Sequence, residues 1–146
     1  MECEIYEAVS LLKHLAHFIE LHHIGYRVVE LEKSICYCVE TLGARVEMPP
    51  TLISADYVRV CFLKFNGGRV ELVATVDESK PVSGTSLGGR PDHICFLCSD
   101  FDRRVESARD EGGVVVRPPV HSEAFGGKRM CFVLYRDMGL IEWVEK

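Results

Sequence analysis

Five side chains able to carry charge or bind a cation interrupt stretches that are otherwise apolar. His22 and His23 sit in LHHIGYRVV (21–29), Glu71 in RVELVATV (69–76), His93 in DHICFLC (92–98) and Glu142 in GLIEWVE (139–145). Imidazole nitrogens and carboxylate oxygens together make a mixed donor set. Such a set suits a divalent metal with coordination positions left for water or substrate. A carboxylate buried without a partner costs on the order of several kcal/mol, so one shared centre accounts for both glutamates. Taken singly, each residue has a plain structural explanation: a satisfied strand histidine or an edge glutamate. Taken together they repeat, because the interval from His23 to His93 is almost the same as that from Glu71 to Glu142. Between the adjacent histidines, His23 matches His93, since isoleucine follows each (Ile24 and Ile94). The two-residue period of a strand then turns His22 to the opposite face.

The elements that must position these residues also come in duplicate. After the first strand, residues 31–43 read as a helix stopped at Gly43. A short strand over 44–48 precedes Pro49-Pro50. Strands over 57–65 and 69–76 flank Asn66-Gly67-Gly68, a strong hairpin signal. A connector rich in Gly, Ser and Pro covers 77–91, with Gly84, Gly88 and Gly89. The order then recurs: a strand over 92–98, a charged helix over 100–111 ended by Gly112-Gly113, a short strand over 114–117, Pro118-Pro119, and strands over 128–136 and 139–145. The fold class is therefore α+β, a tandem of βαβββ modules forming a curled mixed sheet around a metal site. The expected organisation is a single domain over 1–146, with modules at 21–76 and 92–146. Each module is too small to bury its own sheet face. Ahead of them, Ile5, Ala8, Val9, Leu12, Leu15, Ala16 and Ile19 recur at helical spacing, giving an amphipathic N-terminal helix within 1–20.

Composition narrows the function classes. The chain has 146 residues, 47% hydrophobic and 27% charged, which is ordinary for a globular domain. A formal net charge of −5 gives no bulk attraction to nucleic acid or anionic lipid. Seven cysteines, mostly inside apolar runs, read as small buried hydrophobes in a reducing, cytoplasmic setting. No run reaches the roughly 18 apolar residues of a membrane span, and the acidic start lacks the basic flank of a signal peptide. The expected partner is a small molecule, with no nucleic acid and no membrane.

The motifs His23-Ile24-Gly25, Val70-Glu71-Leu72, Asp92-His93-Ile94 and Leu140-Ile141-Glu142 resemble the vicinal oxygen chelate superfamily. Its members include glyoxalase I, methylmalonyl-CoA epimerase, extradiol dioxygenases and fosfomycin or bleomycin resistance proteins. The resemblance covers about residues 20–146 and puts the family's metal positions on His23, Glu71, His93 and Glu142. A fourth ligand at Glu71, and Ala124-Phe125-Gly126-Gly127-Lys128-Arg129 before the last strands, are most similar to epimerase-like members. The resemblance implies a divalent-metal-dependent lyase or isomerase. Such an enzyme abstracts a proton next to a metal-bound carbonyl of a thioester, such as an acyl-CoA, or of a hydroxy-carbonyl compound. It further implies Glu142 and Glu71 as catalytic carboxylates, one ion (zinc, cobalt, nickel, manganese or iron) and a homodimer. One departure stands out: where epimerase-like sequences carry a glutamate, this chain reads Ser54-Ala55-Asp56-Tyr57. Two other uses of the fold compete. One is a non-catalytic protein that sequesters a drug or natural product. The other is an iron dioxygenase using His23, His93 and Glu142.

Four further residues are candidates for substrate binding. His121 follows the second proline pair, and Arg90, Lys128 and Arg129 can hold an anionic group. Cys95 and Cys98 share a redox-like spacing, but in a strand they face opposite ways. His14 and His17 can share a helix face but lack a third ligand.

Overall fold

Each stretch of alternating or continuous apolar residues becomes a strand. The protein is described by a computed structural model covering residues 19–77 and 89–146. In chain order these form β1 (Ile19–Arg27), α1 (Leu31–Glu40), β2 (Arg45–Ile53), β3 (Val58–Phe65), β4 (Gly68–Thr75), β5 (Arg90–Cys98), α2 (Phe101–Ser107), β6 (Gly113–His121), a 3-10 turn (Glu123–Phe125), β7 (Arg129–Tyr135) and β8 (Gly139–Glu145). All eight strands lie in one mixed sheet, ordered β2-β3-β4-β1-β5-β8-β7-β6. Strand β1 runs parallel to β4, with Gly25 opposite Glu71. Strand β5 runs parallel to β8, with Cys95 opposite Glu142. The two halves meet where β1 and β5 pair antiparallel, Ile24 opposite Ile94. Equivalent strands crossing at equivalent residues create a local twofold relation, so features beside this seam occur twice.

The sheet curls without closing. Ile53 from one end of the strand order and Arg117 from the other line the same cavity. Each helix covers the outer face of its own half. Val28, Leu31, Cys61 and Leu63 pack under α1, and their counterparts in the second module, Cys98, Phe101, Cys131 and Val133, pack under α2. Smaller apolar clusters built on Ile53, Val60 and Val73 and on Cys95, Met130 and Val144 lie around the concave side.

Several boundaries differ from the sequence expectation. The strands expected at 44–48 and 114–117 run on through Pro49-Pro50 and Pro118-Pro119, to Ile53 and His121. Both are the outermost strands, where a missing N–H faces no neighbour. Matching register shifts fall at Met48/Thr51 and Arg117/Val120 and absorb the prolines. Helix α2 ends at Ser107, short of the expected 111. Gly43 and Gly112 adopt φ of 72° and 78°, the left-handed geometry of a helix stop. The N-terminal helix, His14, His17, Gly84 and Gly88 lie outside the described residues, apart from Ile19, which opens β1. Among the described residues all six cysteines are free, and no helix is long and apolar enough to cross a membrane.

Candidate metal centre

The central strands deliver the donors. His23 comes from β1, Glu71 from β4, His93 from β5 and Glu142 from β8, all with at most 6% of their surface exposed. The two imidazole Nε2 atoms lie 3.0 Å apart. Glu71 Oε2 is 3.5 Å from His23 Nε2 and 3.4 Å from His93 Nε2. Glu142 Oε2 is 3.4 Å from each. Ligand atoms about 2.1 Å from one ion stand about 3.0 Å apart at a right angle and about 3.4 Å apart at the tetrahedral angle. The observed separations match that range. Glu142 Oε2 is buried, and neither imidazole N–H points at it well enough for a hydrogen bond. An orphaned buried carboxylate oxygen costs about 1–3 kcal/mol or more, and a cation between the four donors would satisfy it. The residues present fit a divalent ion.

Electrostatics agree. Burial raises the Glu71 carboxyl pKa, but His23 and His93 outweigh it and hold the group at about 2. Burial lowers the His93 pKa, yet Asp92, Glu142 and Glu71 outweigh that and raise it to about 11. His93 Nδ1–H donates to Asp92 Oδ2 at 2.9 Å, and Arg27 Nε donates to the other oxygen of the same carboxylate. This backing fixes the orientation of the ring.

Close packing around the pair depends on one residue. A Cβ on Gly25 would lie 2.1 Å from His93 Cε1, so only glycine leaves room for that ring. The equivalent position in the other half is Cys95, which faces His23 across the β1–β5 pair. Its thiol pKa is pushed far up by burial and by the nearby Glu142.

The adjacent histidine does not face away. Leu21 and His23 oppose Phe96 and Cys95, so His22 is the extra residue of a bulge in β1. The bulge returns His22 to the side of His23, with their Nδ1 atoms 2.8 Å apart. The two-residue period held for regular strand, and the bulge broke it. Burial, then Arg69, then His23 lower the His22 pKa to about 4.

A family model described as the glyoxalase/bleomycin resistance protein/dioxygenase superfamily matches residues 22–132. The chain belongs to this superfamily. A lactoylglutathione lyase of Arabidopsis thaliana is 26% identical over 124 residues, covering 85% of this chain and 43% of that protein. The chain thus spans less than half the length of the curated relatives it matches. Among solved structures, methylmalonyl-CoA epimerase from Mycobacterium tuberculosis superposes with a TM-score of 0.71 at 24% identity, covering 86% of each chain. The Streptomyces coelicolor epimerase in complex with 2-nitronate-propionyl-CoA gives 0.73 at 25%, covering 88% of this chain and 98% of that one. The superfamily fold, a curled mixed sheet over candidate His and Glu donors, is the fold observed here.

A cavity of about 290 Å³ opens onto Glu71, His93 and Glu142. Its wall is mostly apolar, with Arg27, Asp92, Arg117, Asp56 and Ser122 as polar elements. Arg117 from β6 donates to Asp56, which follows β2, and ties the two ends of the sheet across the opening. Arg27 and Arg117 escaped the sequence reading. They sit at the end of β1 and beside the proline pair of β6, and only the curl of the sheet aims them inward. Arg90, His121, Lys128 and Arg129 do not line this cavity. Arg129 is held by Asp102 and Glu145. His121 Nδ1 donates to the Gly127 carbonyl at 2.7 Å. Lys128 lines a second, smaller cavity with His22, Glu47 and Arg69.

Proposed function

We propose that the chain is a divalent-metal-dependent lyase or isomerase of the glyoxalase and methylmalonyl-CoA epimerase type. His23, Glu71, His93 and Glu142 hold the ion in this reading. The observation that carries it is the convergence of two buried carboxylates on one imidazole pair: the Nε2 atoms lie 3.0 Å apart and each carboxylate has an oxygen 3.4–3.5 Å from both, that of Glu142 orphaned. An ion held there supplies Lewis acidity toward a carbonyl oxygen. The remaining work falls to the chain. Glu142 and Glu71 both face the cavity, and the local twofold relation sets them on opposite flanks of the imidazole pair. Glu142 takes the proton from the carbon next to the carbonyl once its carboxylate has left the ion, and Glu71 serves the other flank. Apolar residues such as Val73, Met130 and Phe132 exclude water from that carbon. Arg27 and Arg117 line the wall already paired with Asp92 and Asp56, and Arg117 Nε, a buried donor with no partner, is left to meet a substrate oxygen.

A cavity of about 290 Å³ takes a small acyl or hydroxy-carbonyl head and leaves a larger carrier outside. This size, with the epimerase neighbours, supports a thioester. Glu71 approaches both imidazoles as closely as Glu142 does. That favours four donors over the three-donor dioxygenase arrangement. The deciding experiment has two arms. Metal content is measured on protein purified without a histidine tag, for the wild type, His93→Ala and Glu142→Ala. Exchange of solvent deuterium into the carbon beside the carbonyl is then followed by mass spectrometry across acyl-CoA thioesters and hydroxy-carbonyl compounds. Unchanged metal content in both variants, or no exchange with any compound, overturns the reading.

A further inference from the structure

The proposed centre leaves the His22 side chain in direct contact with a donor and without a role. His22 lies in the bulge before His23, and Asp92 lies in the matching bulge before His93, where Gly25 and Tyr26 oppose His93 and Pro91. The interval from His22 to Asp92 equals that between the histidines they precede. Each bulge re-aims a side chain that regular strand would turn away. Asp92 Oδ2 lies 2.9 Å from His93 Nδ1, and His22 Nδ1 lies 2.8 Å from His23 Nδ1. The His22 ring is held edge-on between Phe62 and Phe125, at 5.6 and 5.5 Å. In one half, therefore, a carboxylate anchored by Arg27 backs the histidine, and in the other an imidazole does.

We propose that His22 is a positioning residue whose imidazole accepts the Nδ1–H of His23 and so fixes the tautomer that turns His23 Nε2 toward the centre. This rests on the reading of the centre as a metal site. A neutral acceptor strengthens the donor behind it less than a carboxylate does. The two imidazoles of the centre are thus unequal, His93 the stronger donor and His23 the weaker.

The test uses the full chain with zinc as the probe. His22→Phe removes the acceptor while keeping a ring between Phe62 and Phe125. His22→Asp installs the acceptor used in the other half. Zinc affinity is measured by competition with a chromophoric chelator, and the His23 tautomer by long-range 15N–1H correlation spectra. His22→Phe is expected to weaken zinc binding about 10- to 100-fold and to leave His23 in mixed tautomers. His22→Asp is expected to bind at least as tightly as the wild type, with His23 protonated at Nδ1. His23→Ala is run in parallel. If it binds zinc like the wild type, the centre itself is wrong. If it loses zinc while His22→Phe keeps wild-type affinity and tautomer, the positioning role alone fails. Should His22→Phe not fold, a wild-type His23 protonated at Nε2 in the zinc-loaded protein, or a His22→Asp variant that binds more weakly, overturns the proposal.

Discussion

Replacing Gly25 by alanine is the smallest change that should disable the centre without touching a donor. The added Cβ would meet His93 Cε1 at 2.1 Å, Nδ1 at 2.3 Å and Nε2 at 2.5 Å. Carbon atoms rest about 3.5–4.0 Å apart, so the ring must retreat by about 1.4 Å or more. A metal–nitrogen bond tolerates about 0.2 Å. Phe132 lies edge-on to the His93 ring at 5.2 Å and blocks a simple retreat. The ring must therefore swing away and leave Asp92. Gly25 does not use positive φ, so alanine suits the backbone itself. Overpacking of this kind costs about 1–3 kcal/mol of metal-free stability. Metal affinity should fall at least about 100-fold, or about 2.7 kcal/mol, because one of four donors is lost. Chelator competition reads the affinity, and thermal melts with and without metal separate it from stability. A double-mutant cycle sharpens the test. Once His93→Ala has removed the ring, adding Gly25→Ala should cost nothing more in affinity. A Gly25→Ala protein that binds metal within threefold of the wild type refutes the reasoning.

Three further outcomes are expected. His93, raised to about 11 in the metal-free protein, is protonated at neutral pH, so an arriving ion must displace that proton. Apparent affinity should then rise about tenfold per pH unit between pH 6 and 8, with about one proton released per ion in calorimetry across buffers of different ionisation heat; a flat profile contradicts this. Arg117→Ala removes an ion pair that is partly exposed on both sides, so stability should drop by less than about 1 kcal/mol. The substrate KM should rise nonetheless, because the guanidinium lines the cavity; unchanged KM would remove Arg117 from the substrate wall. With a thiol alkylating reagent and mass mapping, Cys36 should label in the native protein, while Cys61, Cys95, Cys98 and Cys131 should label only after unfolding. Early labelling of Cys95 would show that the centre is open to solvent from its side.

Much of this molecule was legible because it says the same thing twice. The offset between the two modules exposed the order of elements, the helix stops at Gly43 and Gly112, and the residues that the sheet brings together. Hairpin chemistry at Asn66-Gly67 was equally local, with Phe65 paired to Gly68. What stayed hidden depends on neighbours rather than on the residue itself. The prolines looked like strand breakers until β2 and β6 proved to be sheet edges. His22 looked outward because a bulge leaves no signature in a two-residue period. Arg27 and Arg117 drew no notice because the inward wall exists only once the sheet has curled. Arg129 offered the right chemistry for an anion, but Asp102 and Glu145, distant in sequence, already occupy it.

The seam between β1 and β5 also sets a timetable. Ile24 pairs with Val70 and with Ile94, both far along the chain from it. The hairpins β3–β4 and β7–β8 close over a few residues and can form early. The contacts of β1 demand long loops, and their entropy must be met before they stabilise anything. The four candidate donors are therefore expected to converge late, when β1 settles between β4 and β5. An ion held by all four would select the finished chain over every partly folded one and stabilise it by mass action. Metal supply during synthesis would then set how much of the chain reaches its final state.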